Sequence, residues 1–230
     1  MINRMNICRN IYNIILQNLN DILSLRSTGS IKSDGTYVSK GDLLCEQLIV
    51  DYVEGNLKNY ILISEESYND LSELSGVEYV VTIDPIDGTE NFILGLKEWG
   101  VGVSVYRFGK HLQSMIALPE LNVCLCSGDK LERINHSRIC GLSSYMTPKD
   151  FELLDGEFEF RIMGCCMYNM YNVIRGSYAQ FQHLKGAYSW DILPGLNLAL
   201  ESGLSVEVEG KPYNGEFLLP GVKYRFVVRN

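Results

Sequence analysis

The sequence predicts a mixed α/β (α+β) chain, and three observations carry that reading. Between Asn6 and Leu25, apolar residues recur at Cys8, Ile11, Tyr12, Ile15, Leu16, Leu19, Ile22 and Leu23, the spacing of one helical face. From Gly100 to Arg107 the period changes to two, with Val101, Val103 and Val105 on one side, and Gly109-Lys110 turns the chain into Leu112 to Leu118 and then Val123 to Cys126. Such a run of hairpins reads as an antiparallel sheet. Beyond Thr147 the two periods mix again, with helical stretches between short apolar runs.

Taken in order, Asn6 to Leu25 is expected to be one helix. Arg26 to Thr36 carries two glycines, three serines and an Asp-Gly pair, so it reads as a mobile loop or hairpin. A second helix starts at Ser39-Lys40-Gly41-Asp42, with Leu43, Leu44, Leu48 and Tyr52 inward. Ser39 and Asp42 have the spacing of a capping pair. Ile61 to Ile63 is a short strand delivering Glu65 and Glu66, and Tyr79 to Ile83 is a buried strand that Asp84 and Asp87 leave. Pro85 cannot extend the ladder.

Thr147 caps a helix with Pro148 in its first turn, and Phe158 to Ile162 is a strand. Cys166 to Ile174 forms a helix behind the Gly164 turn. Asp191 to Ser202 is a helix ended by Gly203, and Arg225 to Val228 closes the chain as a strand. Charge rises and periodicity lapses near Gly128 to Ser137. The expected halves are therefore residues 1–130, with the antiparallel sheet, and residues 131–230.

Bulk composition excludes several classes. The 230 residues are 46% hydrophobic, enough for a packed core, and carry a net charge of −8, which argues against a nucleic-acid polymer as partner. Seven cysteines lack CxxC pairs and finger spacing, as expected of reduced thiols in the cytoplasm. The N-terminal stretch is interrupted by asparagines and is read as neither a secretory signal nor a membrane span.

Chemistry concentrates in three acidic clusters: Ser64-Glu65-Glu66-Ser67, Asp84-Pro85-Ile86-Asp87-Gly88-Thr89 and Trp190-Asp191. Two carboxylates held three apart at a rigid strand end call for a divalent, oxygen-seeking cation such as Mg²⁺. Gly88 and Thr89 open a short segment that can begin a helix, whose free amides cradle a phosphate. The same composition also describes an ordinary turn. Asp42 can equally be only a helix cap, and Thr89 only an N-cap.

Together the clusters resemble the inositol monophosphatase superfamily, Mg²⁺-dependent, lithium-sensitive phosphatases of small phosphorylated metabolites. The likeness begins at Lys32-Ser33-Asp34-Gly35-Thr36-Tyr37-Val38-Ser39-Lys40-Gly41-Asp42 and continues through Ile63-Ser64-Glu65-Glu66-Ser67. Asp84 to Phe92 matches the family's first signature, and Trp190-Asp191 to Gly195, with Glu201-Ser202-Gly203, resembles its last. The motifs occur in family order, and the likeness is thinnest between Lys130 and Met163.

The resemblance implies a layered αβαβα sandwich with the site where the two halves meet. It implies two or three Mg²⁺ ions on Glu65, Asp84, Asp87, Asp191 and the carbonyl of Ile86, with Asp84 shared. Thr89, polarised by Asp42, would orient the attacking water, Glu65 would assist as a third metal's ligand, and the amides of Gly88 and Thr89 would hold the phosphate. Lys32 would lie on a hairpin closing near the metals, and Glu66 behind the ligands or on the surface. With no Ser or Cys nucleophile motif, hydrolysis is expected without a phosphoenzyme.

Gly164, Cys165 and Cys166 resemble the family's pocket-lining segment, although cysteine is unusual there and suits an inert, buried packing role. Inositol-specific members carry a glutamate before the Trp-Asp motif, whereas here His183 falls nearest and the segment has no carboxylate. The resemblance implies an inositol- or sugar-phosphate-like metabolite as substrate, with the missing glutamate counting against inositol phosphate itself. The alternatives are adenosine 3′,5′-bisphosphate, cleaved at its 3′ position, and a catalytically silent sugar-phosphate-binding relative. The resemblance also leaves a homodimer open.

Overall fold

In the computed structural model, which describes residues 6–33, 35–67, 76–152, 154 and 156–230, the N-terminal apolar stripe forms two helices rather than one. Helix α1 (Ile7–Gln17) buries Ile7, Cys8, Ile11, Tyr12 and Ile15, and α2 (Leu19–Ser24) follows at once. The break is Asn18: its side-chain amide donates to the Ile14 carbonyl at 2.8 Å while its own ψ opens to 9°. A side chain that competes for helix carbonyls in this way weakens the regular ladder. A 3₁₀ turn, Arg26–Thr28, leads to the antiparallel hairpin β1 (Ser30–Ile31) and β2 (Tyr37–Val38). Asp34, part of the Lys32 motif, lies outside the described residues.

Helix α3 (Lys40–Asn56) turns a different face inward from the one expected. Gly41, Asp42, Cys45, Ile49 and Val53 are buried, and Leu44, Leu48 and Tyr52 flank them half-buried. Leu43 is 50% exposed. Ser39 and Asp42 form a capping box that fixes the helix start. With Asp42 inward, steps of three and four reach Cys45, Ile49 and Val53. Leu43 lies about 100° further round.

Strands β3 (Tyr60–Ser64), β4 (Tyr79–Asp87), β5 (Gly100–Arg107), β6 (Lys110–Leu118) and β7 (Val123–Cys126) form a sheet in that order. All neighbours are antiparallel except β3 and β4. Helix α4 (Thr89–Ile93) follows β4. The second sheet takes β8 (Ile139–Leu142), β9 (Glu159–Ile162), β10 (Gln180–Ala187), β11 (Ser205–Val208), β12 (Lys211–Pro212) and β13 (Tyr224–Arg229), in the order β12-β11-β13-β10-β8-β9.

Helices α1 and α3 cover one face of the first sheet, while α6 (Cys166–Arg175) and α7 (Ser189–Glu201) lie between the two sheets. A short helix, α5 (Pro148–Phe151), connects β8 to β9. The chain moves outward from β8 to β9 and back past β8 to β10, all in parallel. Right-handed crossovers running in opposite directions put α5 and α6 on opposite faces of the sheet. The outer helical layer of the expected αβαβα sandwich is thus reduced, among the described residues, to one turn. Strand β9 is correspondingly exposed.

One strand departs from expectation in a way that builds the site. β4 does not end at Ile83 but runs to Asp87, with a register irregularity between Asp84 and Asp87 opposite Gly102 and Gly100 of β5. Pro85, which has no amide for the ladder, falls in that irregularity. A Cβ on Gly102 would lie 2.1 Å from the Met167 methyl, so the bare backbone there lets α6 settle against β5.

Candidate active site

Three of the expected ligands converge. Glu65, just past β3, Asp84 on β4 and Asp191 in the first turn of α7 each place one carboxylate oxygen within 4.8 Å of the others. Asp84 is 1% exposed, and its Oδ1 has no hydrogen-bond partner among the described residues. Burial, then the charges of Glu65, Asp87 and Asp191, push its carboxyl well above the usual range. Asp191 is raised by burial and by Glu65 and Asp87, against the pull of the Tyr188 N–H and Lys223. An orphaned, buried carboxylate oxygen facing two more carboxylates is stable only beside positive charge. The donors are all oxygen, which fits a hard divalent cation such as Mg²⁺ or Ca²⁺.

Asp87 stands slightly apart from this triplet. Its Oδ2 accepts the Met167 N–H at the start of α6 and the Cys165 thiol at 3.1 Å. Burial lifts its carboxyl to about 6 against those two bonds. It lines the same cavity, as does Ile86, whose carbonyl oxygen lies 2.9 Å from the Thr89 hydroxyl oxygen.

A common construction holds three aspartates. Asp42 Oδ2 accepts the Ser39 N–H at 2.8 Å and the Ser39 hydroxyl at 2.6 Å. Asp191 Oδ2 accepts the Tyr188 N–H at 2.8 Å, and Asp87 Oδ2 accepts Met167. Each carboxylate spends one oxygen on an amide at a helix start, where negative charge is favoured. The other oxygen is thereby aimed. For Asp42 the aimed oxygen is Oδ1, 2.9 Å from the Thr89 hydroxyl. The cap and the polarising contact are therefore two uses of one side chain. Thr89 is not itself the N-cap: that position belongs to Gly88, left-handed at φ 80°. A Cβ on Gly88 would meet Cys165 Cβ at 3.0 Å and the Gly164 carbonyl at 3.1 Å.

Lys32 donates to Glu65 at 3.1 Å and to Glu66 at 2.7 Å. The Glu66 side chain is only 4% exposed, so it is the buried counter-ion of Lys32 rather than a surface group. Burial raises its carboxyl to about 7 despite that partner.

Gly164, Cys165, Cys166 and His183 line the same cavity of about 600 Å³ as the carboxylates. Cys165 caps α6, its sulfur accepting the Tyr168 N–H at 3.3 Å while its thiol donates to Asp87. Burial, then Asp87, pushes that thiol up, and burial does the same to Cys166. The His183 ring stacks on Phe226 with centroids 5.6 Å apart, and its buried Nδ1 has no hydrogen-bond partner among the described residues. Sequence reasoning missed Asn169, Tyr188 and Lys223, which also line the cavity. Asn169 is 2% exposed on the inward stripe of α6, and a polar residue at that helical position was a usable signal. Lys223 sits outside every motif and gave none.

Comparison with known proteins gives the family and the fold. The family model of the inositol monophosphatase family matches residues 2–136. The Nus factor SuhB of Pasteurella multocida is 24% identical over 196 residues, 76% of this chain and 72% of that protein. Other curated relatives align over 90–95 residues, 26–34% of their own lengths. Among solved structures, an IMPase of Thermotoga maritima superposes with a TM-score of 0.78 at 22% identity, covering 96% of this chain and 92% of its own. An IMPase/NADP phosphatase complexed with Mg²⁺ and phosphate superposes with a TM-score of 0.76 at 19% identity, covering 97% and 91%. At such identities these two likenesses concern the fold.

Proposed function

The chain belongs to the inositol monophosphatase family, and from that premise we propose that it is a Mg²⁺-dependent phosphomonoesterase acting on a small, inositol- or sugar-phosphate-like metabolite. The observation that carries the reading is a juxtaposition. The Glu65, Asp84 and Asp191 oxygens lie within 4.8 Å of one another, in a cavity that Thr89, hydrogen-bonded to Asp42, also lines.

Glu65, Asp84, Asp87 and Asp191, with the Ile86 carbonyl, would hold two or three Mg²⁺ ions. When bound, such ions supply the charge that activates water and stabilises a leaving oxygen. The protein's own groups do the rest. Asp42 draws the Thr89 proton toward itself, leaving the lone pairs of that hydroxyl to accept from, and so orient, the attacking water. The amides of Gly88 and Thr89, at the start of α4, would receive phosphate oxygens. Lys32 balances Glu65 and Glu66 at the rim. Lithium sensitivity belongs to the same proposal.

Seven free cysteines support a reducing, cytoplasmic setting. No helix among the described residues is long and apolar enough to cross a membrane. The net charge of −8 supports a small-molecule rather than a nucleic-acid partner.

The test is phosphate release from a panel of inositol, sugar and nucleotide phosphates, adenosine 3′,5′-bisphosphate among them, in Mg²⁺ and in chelator. Mg²⁺-dependent release is expected. A protein that binds Mg²⁺ yet releases phosphate from none of them would be the silent relative.

A further inference from the structure

The cavity has two chemically different walls. One carries the carboxylates. The other is built by β10 and β13, whose pairing is irregular between His183 and Ala187. Irregularities of this kind re-aim side chains beside functional sites. Here His183 and Lys185 from β10, and Lys223 just before β13, all line the cavity. Segments 181–187 and 221–223 contain no Asp or Glu.

A lysine at a cavity rim is usually just solvated. Lys223 differs from that default in two respects. Its ammonium lies 4.9 Å from the centroid of the Tyr188 ring, itself part of the cavity wall, so it is held at the site by a cation–π contact. It also forms no ion pair with a carboxylate among the described residues, whereas Lys32 is paired with Glu65 and Glu66, and Lys185 with Asp150 at 2.6 Å. Next to it, burial and the Lys223 charge hold the His183 imidazole neutral, with a pKa of about 4. His183 thus stands beside Lys223 as an uncharged ring on the cavity wall, stacked on Phe226.

We propose that the β10–β13 wall is a subsite for a second anionic group on the substrate, a carboxylate or a second phosphate, bound by Lys223 with His183 beside it. The substrate class is then a phosphomonoester that carries a further negative charge, rather than a neutral polyol phosphate. This rests on the phosphatase reading above. With a neutral polyol the ammonium keeps only the Tyr188 face and the longer-range field of Asp191, while an anion there forms a charge-assisted hydrogen bond. The cavity of about 600 Å³ has room for more than the reacting phosphate.

Matched substrates test it. Glycerol 2-phosphate and 2-phosphoglycerate differ by one hydroxymethyl-to-carboxylate change. Adenosine 3′-monophosphate and adenosine 3′,5′-bisphosphate differ by one phosphate. The readout is the ratio of kcat/KM within each pair in Mg²⁺, with products identified by chromatography. The wild type is expected to prefer the more anionic member of at least one pair by about tenfold or more, the scale of one charge-assisted contact. Lys223→Ala should bring that ratio toward one, Lys223→Glu below one, and Lys223→Arg should keep it. No preference in either pair, or a preference that survives Lys223→Ala, overturns the subsite while leaving the phosphatase reading standing. No release from any of the four, with release from other phosphates of the wider panel, overturns the subsite alone; no release from any compound overturns both.

Discussion

Asp42 accepts the Thr89 hydroxyl on Oδ1 at 2.9 Å while its Oδ2 is occupied by Ser39. Burial raises this carboxyl, and the Ser39 and Thr89 hydrogen bonds pull it back. In Asp42→Asn, the one remaining oxygen can stay on Ser39 and keep the cap. The new amide group then donates toward Thr89, which must send its proton to the Ile86 carbonyl instead. Stability should fall by about 1 kcal/mol or less. Turnover should fall by about 10²-fold with KM little changed, because the contact acts in the transition state. Steady-state kinetics of Asp42→Asn, Thr89→Ala and the double variant decide it. A double variant no slower than the poorer single marks one working unit, and multiplied losses mean two independent roles.

Asp87 makes metal-free stability depend on pH. Its carboxyl titrates at about 6 in the fold, against 3.8 ordinarily. Between those values the folded protein keeps a proton that the unfolded chain has released. This stabilising contribution is complete below about pH 4 and is lost as pH rises through about 6. Asp87→Asn abolishes that loss, and its amide oxygen can still accept the Met167 N–H. In chelator at pH 8 the variant should be more stable than wild type, by up to about 3 kcal/mol, with no such gain near pH 4. Added Mg²⁺ should raise the Tm of wild type more than that of the variant. Thermal melts across this range check it, and a variant that is less stable in chelator at pH 8 would refute the assignment.

Cys165 and Cys166 are packing and capping groups, not reactive thiols. Both are buried, with thiols pushed up by that burial, whereas Cys124 is only half-buried. Maleimide labelling of the native protein, read by mass spectrometry, should modify the Cys124–Cys126 pair, where contact with Cys124 at 3.6 Å holds the Cys126 thiol down, well before either of them. Cys165→Ser should retain phosphate release, since a hydroxyl can both cap α6 and donate to Asp87. Rapid native labelling of Cys165 would contradict this picture.

Much of the site is legible in the sequence because its residues are local to strand and helix ends. The Asp-Pro-Ile-Asp-Gly-Thr run announces itself through turn chemistry, and Ser39 and Asp42 through cap spacing. What stays hidden depends on contacts between distant segments. No local pattern near Leu43 turns Asp42 inward; only the family resemblance implies its contact with Thr89, 47 residues away, and that contact sets the rotation of α3. The strand β4 reads as ending at Ile83 because Pro85 breaks ladders. The continuation to Asp87 depends on Gly100 and Gly102 lying opposite. Asn18 looked like one more polar residue on a helix, and its bond to Ile14 is what divides α1 from α2. Lys223 reaches the cavity only because β13 pairs with β10, a pairing no local pattern encodes.

The most direct test of the central claim, a Mg²⁺-dependent phosphatase built on these carboxylates, is phosphate release by Asp84→Asn beside wild type in saturating Mg²⁺. Asp84 is 1% exposed and is crowded by Glu65, Asp87 and Asp191. Removing its charge relieves repulsion in the metal-free fold, so circular dichroism and melting in chelator should show an intact protein of equal or greater stability. Phosphate release should drop to background. An Asp84→Asn protein that turns over like wild type would contradict the account.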